Sequence, residues 1–124
     1  MKRMKIVAAV TVLLSVGFFV NLTLAESEGI IKYRQNVMKT NGGHMGAIMD
    51  ILKNRLPLEA HVLDHARSIQ QNSKMTLEMF PKGSGFGDTK AKPAIWENWS
   101  KFESAAKAFV RESAELAKVA ESGD

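Results

Sequence analysis

The feature that most constrains the fold is a helical spacing of apolar residues that recurs in three segments of the chain. In the first, residues 27–56, the apolar positions alternate steps of four and three, as they do in bundled helices. This stripe comprises Ile31, Gln35, Met38, Gly42, Met45, Met49, Leu52 and Leu56. Pro57 closes the segment, because proline cannot continue a helix. One helix of about 30 residues is therefore predicted.

Two later segments repeat the pattern. The second runs from near Leu58 to Pro81, and the third opens after Pro93 and stops at Gly123. Their stripes are Val62, Ala66, Ile69, Ser73, Thr76 and Phe80, and then Ile95, Trp99, Phe102, Ala106, Phe109, Ser113, Leu116 and Ala120. Residues 81–93, rich in glycine and proline, are predicted to be a loop. The sequence predicts an all-α, up-and-down antiparallel helical bundle.

The N-terminus has the pattern of a secretory signal. Lys2, Arg3 and Lys5 precede an apolar run from Ile6 to Val20, and small residues before position 26 suit a signal peptidase. The alternative is a retained anchor, but the run is shorter than the roughly 20 residues that a spanning helix needs. We therefore predict a signal peptide at residues 1–25, a domain at residues 26–124, a periplasmic location, and no membrane association after cleavage.

Charge and cysteine content exclude several function classes. The chain has 17 basic and 13 acidic residues, and three of the basic ones lie in the leader, so the mature net charge is about +1. Mixed signs on the helix faces argue against nucleic-acid binding. The sequence contains no cysteine, which excludes disulfides, thiolate metal sites and a cysteine nucleophile.

The histidines are the first candidates for chemistry. His61 and His65 have the four-residue spacing that lets two imidazoles bind one transition metal, and the alternative is two solvent-exposed side chains. His44 has no catalytic partner one turn away on its own helix, which favours a structural or surface histidine. No catalytic residue is assigned, and the chain is not expected to be an enzyme.

Glycines and methionines give further hints about ligands. The "GSGFG" run at 83–87 lacks the strand and the Gly-Lys-Ser/Thr ending of a phosphate loop, so we expect a flexible connection. The face formed by Met38, Met45 and Met49 suits a plain core or the wall of a bulky apolar cofactor. Gly42, inside a predicted helix, indicates close approach of a neighbouring helix or a flat ligand.

Two stretches carry a resemblance to a known family. "IKYRQNVMKTNGGHMGAIMDILK" and "MFPKGSGFGDTKAKPAIWENWSKFESAAKAF" resemble the cytochrome c prime family of exported four-helix haem proteins, and the resemblance runs from Ile31 to Asp124. It implies a haem pocket in which Arg34 lies beside a propionate, Gln35 at the haem edge and Met38 over the distal iron face. Phe80 and Asp88 would line the same pocket.

The chain departs from the family at the haem attachment. Family members hold haem c through a Cys-x-x-Cys-His motif on the fourth helix, whose histidine is the proximal iron ligand, and this sequence contains no such motif before its last residues, "ESGD". The resemblance implies three of four helices, a truncated member, and haem bound without thioether bonds. Its implied role is electron transfer or small-gas binding, with an undefined redox partner. The alternative is a haem-free interaction module that forms a homodimer through helix faces.

Overall fold

The computed structural model of the chain describes residues 22–124, so the predicted leader lies almost wholly outside the described range. This range contains four α-helices, one 3-10 turn and no strand, which confirms the all-α prediction. The elements are α1 (Leu24–Asn54), α2 (Glu59–Ser73), the 3-10 turn (Leu77–Met79), α3 (Ala94–Glu97) and α4 (Trp99–Ser122).

Polar contacts along the α1–α2 interface show that these two helices are antiparallel. The Nδ2 group of Asn72 donates to Oδ1 of Asn41 over 2.8 Å. The Nδ1 atom of His65 lies 3.0 Å from the Nδ1 atom of His44. Later residues of α2 therefore contact earlier residues of α1. Residues 55–58 join the two helices, as expected for antiparallel neighbours with a short connection.

The α2–α4 interface runs antiparallel as well. The Ser113 hydroxyl donates to Ser73 Oγ over 2.8 Å inside the interface, and Arg67 pairs with Glu121 near its other end. Helix α2 thus lies in the middle and packs against both α1 and α4, while the backbones of α1 and α4 hardly approach each other within the described residues. The up-and-down order predicted from the three stripes is confirmed.

Helix α1 begins with a capping box. The Glu26 N–H donates to Thr23 Oγ1, and the Thr23 N–H donates to the Glu26 carboxylate over 2.8 Å. The backbone hydrogen bond from Thr23, followed by the contact with its side chain, lowers the pKa of Glu26. The predicted signal-peptide boundary, between residues 25 and 26, falls in the first turn of this helix. Helix α1 ends at Asn54, where Arg55 adopts a left-handed conformation with φ of 50°.

The buried face of α1 is displaced from the predicted stripe. Met38, Met45, Met49 and Leu52 are exposed, so these four positions do not form a plain core, although Ile31 of the same stripe is buried. Ile30, Val37 and Ala47 are half-buried. The main buried face consists instead of Ser27, Ile31, Arg34, Asn41, His44, Ile48 and Ile51. These positions have the same helical spacing, shifted by about one residue, which is roughly 100° around the helix. Several are polar, so a search for apolar periodicity selects the neighbouring face.

The other two stripes agree closely with the observed burial. On α2, Ala66, Ile69 and Ser73 are buried, and on α4 Ala106 and Ser113 are buried. The core cluster joins all three long helices and consists of Ile48, Ala66, Ile69 and Ala117, with Val62, Phe109, Leu116 and Ala120 packed around it. The predicted third helix is interrupted at Asn98, whose side chain accepts from the Lys101 N–H and starts α4. The end of that helix at Gly123, with φ of 75°, is confirmed.

Gly42 does not mark a close approach. A Cβ atom built on Gly42 has nothing within 4 Å among the described residues, and the same is true of Gly43. The prediction that a neighbouring helix presses on this backbone is therefore wrong, and its alternative, a flat ligand, stays a prediction. Both glycines lie in the interior of a helix with exposed surfaces, where the missing Cβ only increases the conformational entropy of the unfolded chain.

We therefore expect Gly42→Ala to raise the free energy of unfolding by about 1 kcal/mol, since alanine has the higher helix propensity and finds open space. Urea denaturation followed by circular dichroism measures the change. Gly85→Ala is the matched contrast, because its Cβ would lie 2.7 Å from Cζ3 of Trp96 and should destabilise the fold. A destabilised Gly42→Ala variant would contradict this account of the first helix.

Candidate functional site

Arg34 joins α1 to the long loop. Its side chain is only 3% exposed. Nη1 donates to the Met79 carbonyl at 3.0 Å and to Ser84 Oγ at 3.1 Å, while Nη2 donates to the Ser84 carbonyl at 3.0 Å and to Thr89 Oγ1 at 2.9 Å. The four Nη hydrogens are thus all used, and one side chain fixes three separate points between residues 79 and 89.

The charge of Arg34 is held without a carboxylate. No acidic side chain of residues 22–124 forms an ion pair with it, and its partners are carbonyl and hydroxyl oxygens. The guanidinium carbon lies 4.5 Å from the centre of the Phe80 ring, in a cation–π contact. Burial lowers the pKa of Arg34, but an arginine keeps its proton in proteins. The site therefore contains a fixed, uncompensated positive charge.

Trp96 anchors the same loop from the other side. Its Nε1 donates to the carbonyls of Phe80 and Pro81, at 3.1 and 3.2 Å. Its ring packs so closely on Gly85 that no larger residue fits there. The Phe80 ring also meets Phe102 edge to face, with centres 4.7 Å apart. The loop after α2 is thus an ordered wall between α1 and α4.

That wall, together with α1, α3 and the start of α4, surrounds an open trough of about 940 Å³. Ligand pockets in proteins typically measure about 300–1,000 Å³, so the trough has room for a large organic ligand. All five residues that the resemblance placed around a cofactor line it, namely Arg34, Gln35, Met38, Phe80 and Asp88. The structure therefore brings the predicted site residues together, and their individual roles stay predictions.

Each of the remaining predicted residues has a defined place in the trough. Gln35 donates through Nε2 to the Asp88 carbonyl over 2.8 Å, which ties α1 to the far end of the loop. The Asp88 side chain is exposed at the rim. Met38 is 38% exposed and presents an apolar, polarisable side chain to the trough.

Sequence reasoning missed the basic rim of the trough. Lys90, Lys92 and Lys101 line it, so with Arg34 the lining carries four positive side chains against the single carboxylate of Asp88. Apolar residues of α3 and α4, Ile95, Phe102 and Ala105, line the same trough. The "TKAKP" run in the sequence already indicates a basic stretch. The position of Lys101 at the rim follows only from the packing of α4 against the loop. The arrangement suits a flat apolar ligand with an anionic edge.

The histidines lie away from the trough. None of His44, His61 and His65 lines it, and the sequence contains no cysteine. His61 is exposed on α2, whereas His44 and His65 are half-buried and contact each other across the α1–α2 interface. The alternative of two solvent-exposed side chains therefore holds for His61 but not for His65, whose contact with His44 on another helix cannot be read from periodicity along one helix.

Comparison with known proteins decides the family. A family model described as Cytochrome C' matches residues 29–124. The chain belongs to the cytochrome c' family. The resemblance inferred from the sequence is thereby confirmed, and the trough lies in a chain whose fold is that of cytochrome c'.

Individual relatives agree with this assignment. The cytochrome c' of Rhodospirillum rubrum is 34% identical over an alignment that covers 100% of this chain and 83% of the relative. The cytochrome c' of Pararhodospirillum photometricum is 33% identical, covering 81% of each. A cytochrome c-556 of Agrobacterium tumefaciens is 40% identical over 63% of this chain and 64% of its own. A solved structure of a cytochrome c' superposes with a TM-score of 0.71 at 25% identity, covering 79% of this chain and 78% of that one.

The described helices were also compared with the requirements of a membrane span. None of the helices between residues 22 and 124 combines the length and the hydropathy that crossing a bilayer requires. The apolar run of the predicted leader lies outside this range.

Arg34→Met should destabilise the fold by about 3 kcal/mol, because it leaves buried carbonyls of the loop without donors. Arg34→Lys should recover only part of this loss, since one ammonium cannot reach all four acceptors. The measurement is urea unfolding, and Lys32→Met, an exposed position on the same helix, is the control. Equal stability of Arg34→Met and the control would show that the loop does not depend on Arg34.

Proposed function

We propose that the trough of this cytochrome c' family member binds haem non-covalently and that the protein is a periplasmic electron-transfer or small-gas-binding protein rather than an enzyme. The observation that carries the proposal is the combination of an apolar floor and a basic rim in one trough. Haem is a flat apolar ring with two carboxylates on one edge, so its shape and charge complement this lining.

The residues of the trough have separate tasks in this proposal. Phe80, Phe102 and Ile95 supply apolar contact and exclude water from the faces of the ring. Lys90, Lys92 and Lys101 attract and orient the propionates at the solvent-exposed edge. Bound haem would supply one-electron chemistry and an iron atom able to bind small gases. The protein's own contribution is to position the haem, to exclude water around it and to place positive charge beside its propionates.

In this proposal Arg34 acts on the ligand indirectly, through the loop that it holds in place. Its four Nη hydrogen bonds are committed to the loop, so we propose that it stabilises the wall of the trough and adds positive potential there. This differs from the direct propionate contact that the resemblance implies. Gln35 and Asp88 contribute in the same way, through the hydrogen bond that fixes the end of the loop.

The attachment chemistry of haem c does not fit these 124 residues. They contain no cysteine for a thioether bond, and no histidine lines the trough. Of the lining side chains, Met38 alone carries a soft donor of the kind that binds haem iron in other cytochromes. Binding to this chain is therefore proposed to be reversible, with haem that acid–acetone extracts completely.

Titration of the purified chain with ferric haem tests the proposal. We expect a shifted Soret band that saturates at one haem per chain. Ala105→Trp, which fills the trough from α4, should weaken binding at least tenfold, while Ser104→Trp, exposed on the adjacent position and outside the lining, should leave it unchanged. A spectrum equal to that of free haem, or equal affinities of the two variants, would rule out the trough as the site.

A second candidate function rests on the exposed apolar strip of α1. Met45, Met49 and Leu52 are 43%, 53% and 58% exposed and follow one another along the helix. Contiguous apolar surface of this kind marks an association site on soluble proteins. We propose that a second copy of the chain covers this strip, forming a homodimer, and that in the absence of haem the protein acts as a dimerisation module.

Sedimentation velocity at several concentrations tests the dimer. Met49→Glu should shift the protein towards the monomer by introducing a charge into the buried strip. Gln71→Glu adds the same charge on an exposed position of α2 and should leave the dimer intact. A wild-type chain that stays monomeric across the concentration range, or a Gln71→Glu variant that dissociates equally, would contradict the strip as the interface.

The proposed export has its own test. Protein recovered from the periplasm of an expressing bacterium should have the mass of a chain beginning at Glu26. Processing there removes Thr23 and the capping box, so the first turn of α1 should fray in the mature protein. An intact Met1 in the recovered protein would contradict cleavage.

A further inference from the structure

A pair of histidines between α1 and α2 forms a second candidate site, separate from the trough. The Nδ1 atoms of His44 and His65 are 3.0 Å apart, and the ring centres are 5.2 Å apart. Both side chains are half-buried. Ala66 directly follows His65, and Ile48 lies one helical turn after His44. Both belong to the core cluster, which therefore holds the backbone that carries the two rings.

The separation of the two nitrogens matches the spacing of two ligands on one metal ion. With metal–nitrogen distances of about 2.0–2.1 Å, a separation of 3.0 Å gives a nitrogen–metal–nitrogen angle of about 95°. That is the angle between neighbouring ligands in a tetragonal site, the geometry favoured by Cu²⁺ and Ni²⁺. A tetrahedral Zn²⁺ site would need the atoms about 3.3–3.4 Å apart, so the two rings must separate slightly before zinc binds, and zinc should bind more weakly than copper.

Without metal, the contact between the two Nδ1 atoms is a hydrogen bond that requires one proton between them. One neutral imidazole donates through Nδ1–H and the other accepts, so the contact needs opposite tautomers. When a metal binds both Nδ1 lone pairs, the proton of the donating ring moves from Nδ1 to Nε2. Both rings therefore remain neutral and release no proton. The exchange replaces one interhelical hydrogen bond by two coordinate bonds.

We propose that His44 and His65 bind one Cu²⁺ ion through their Nδ1 atoms and thereby cross-link α1 to α2. No group of three or more histidine, cysteine or carboxylate side chains converges within residues 22–124, so water completes the coordination. Copper is the divalent ion with the highest affinity for nitrogen sites in the first transition row, which suits a site with two protein ligands.

The competing arrangement is the pair His61 and His65 on one helix. Both sites contain His65, and they differ in whether the second ligand comes from α1 or from the preceding turn of α2. His61 is exposed, and its ring is not brought to His65 in the structure, whereas the His44 ring is already in place. A preorganised pair loses less side-chain entropy on binding, so the interhelical pair should be the tighter site.

Calorimetric titration of the full chain with Cu²⁺ alone distinguishes the two arrangements. We expect one site in the wild type, an unchanged affinity in His61→Gln, and at least a tenfold loss in both His44→Gln and His65→Gln. Copper should also raise the melting temperature of the wild type and of His61→Gln, and of neither other variant. Loss of binding in His61→Gln with retention in His44→Gln, or equal affinities in all three variants, would overturn the proposal.

A measurement on the unmutated protein keeps the proposal testable even where a variant does not fold. Zn²⁺ serves as a diamagnetic probe in long-range ¹H–¹⁵N spectra of the histidine rings. We expect the Nδ1 resonances of His44 and His65 to move together while those of His61 stay in place. Movement of the His61 and His65 resonances with an unchanged His44 would overturn the interhelical site.

Discussion

The hydrogen-bonded guanidinium of Arg34 is the interaction on which the rest of the structure depends. A cation this deep in a small helical protein is costly unless every donor finds an acceptor, and four of its hydrogens reach oxygens between residues 79 and 89. Those bonds convert a glycine-rich connection into a fixed wall. Because the backbones of α1 and α4 hardly approach each other, the space beside that wall remains as the trough, and Arg34 together with the rim lysines makes its lining positive.

The same principle operates along both interfaces of α2. Asn41 with Asn72, His44 with His65, and Ser73 with Ser113 are polar pairs placed between helices, each at hydrogen-bond distance. Such pairs add little net stability, but they specify register, because a slip of either helix leaves buried polar groups unsatisfied. The core cluster of Ile48, Ala66, Ile69 and Ala117 supplies the apolar packing, and the polar pairs align the helices. Family membership and the proposed functions rest on this arrangement.

Periodicity alone predicted the fold class and most helix boundaries. The stripes of α2 and α4 were found because their buried positions are apolar or small. Periodicity did not assign Arg34, Asn41 and His44 to the buried face of α1, because their burial depends on partners more than 20 residues away. The five candidate site residues were named through a resemblance to relatives, and the fold then placed them around one trough. The rim lysines and the histidine pair required the three-dimensional register, which spacing along one helix does not contain.

The most direct test of this account is the side-chain NMR spectrum of Arg34, recorded before and after addition of ferric haem. If the guanidinium is fixed by the loop, its Nη hydrogens should give separate, slowly exchanging resonances, since rotation and exchange are both blocked. We predict that these resonances remain resolved when haem enters the trough. A single averaged resonance in the free protein would contradict a guanidinium fixed by the loop, and collapse of the separate resonances on haem addition would show that Arg34 leaves the wall for the ligand.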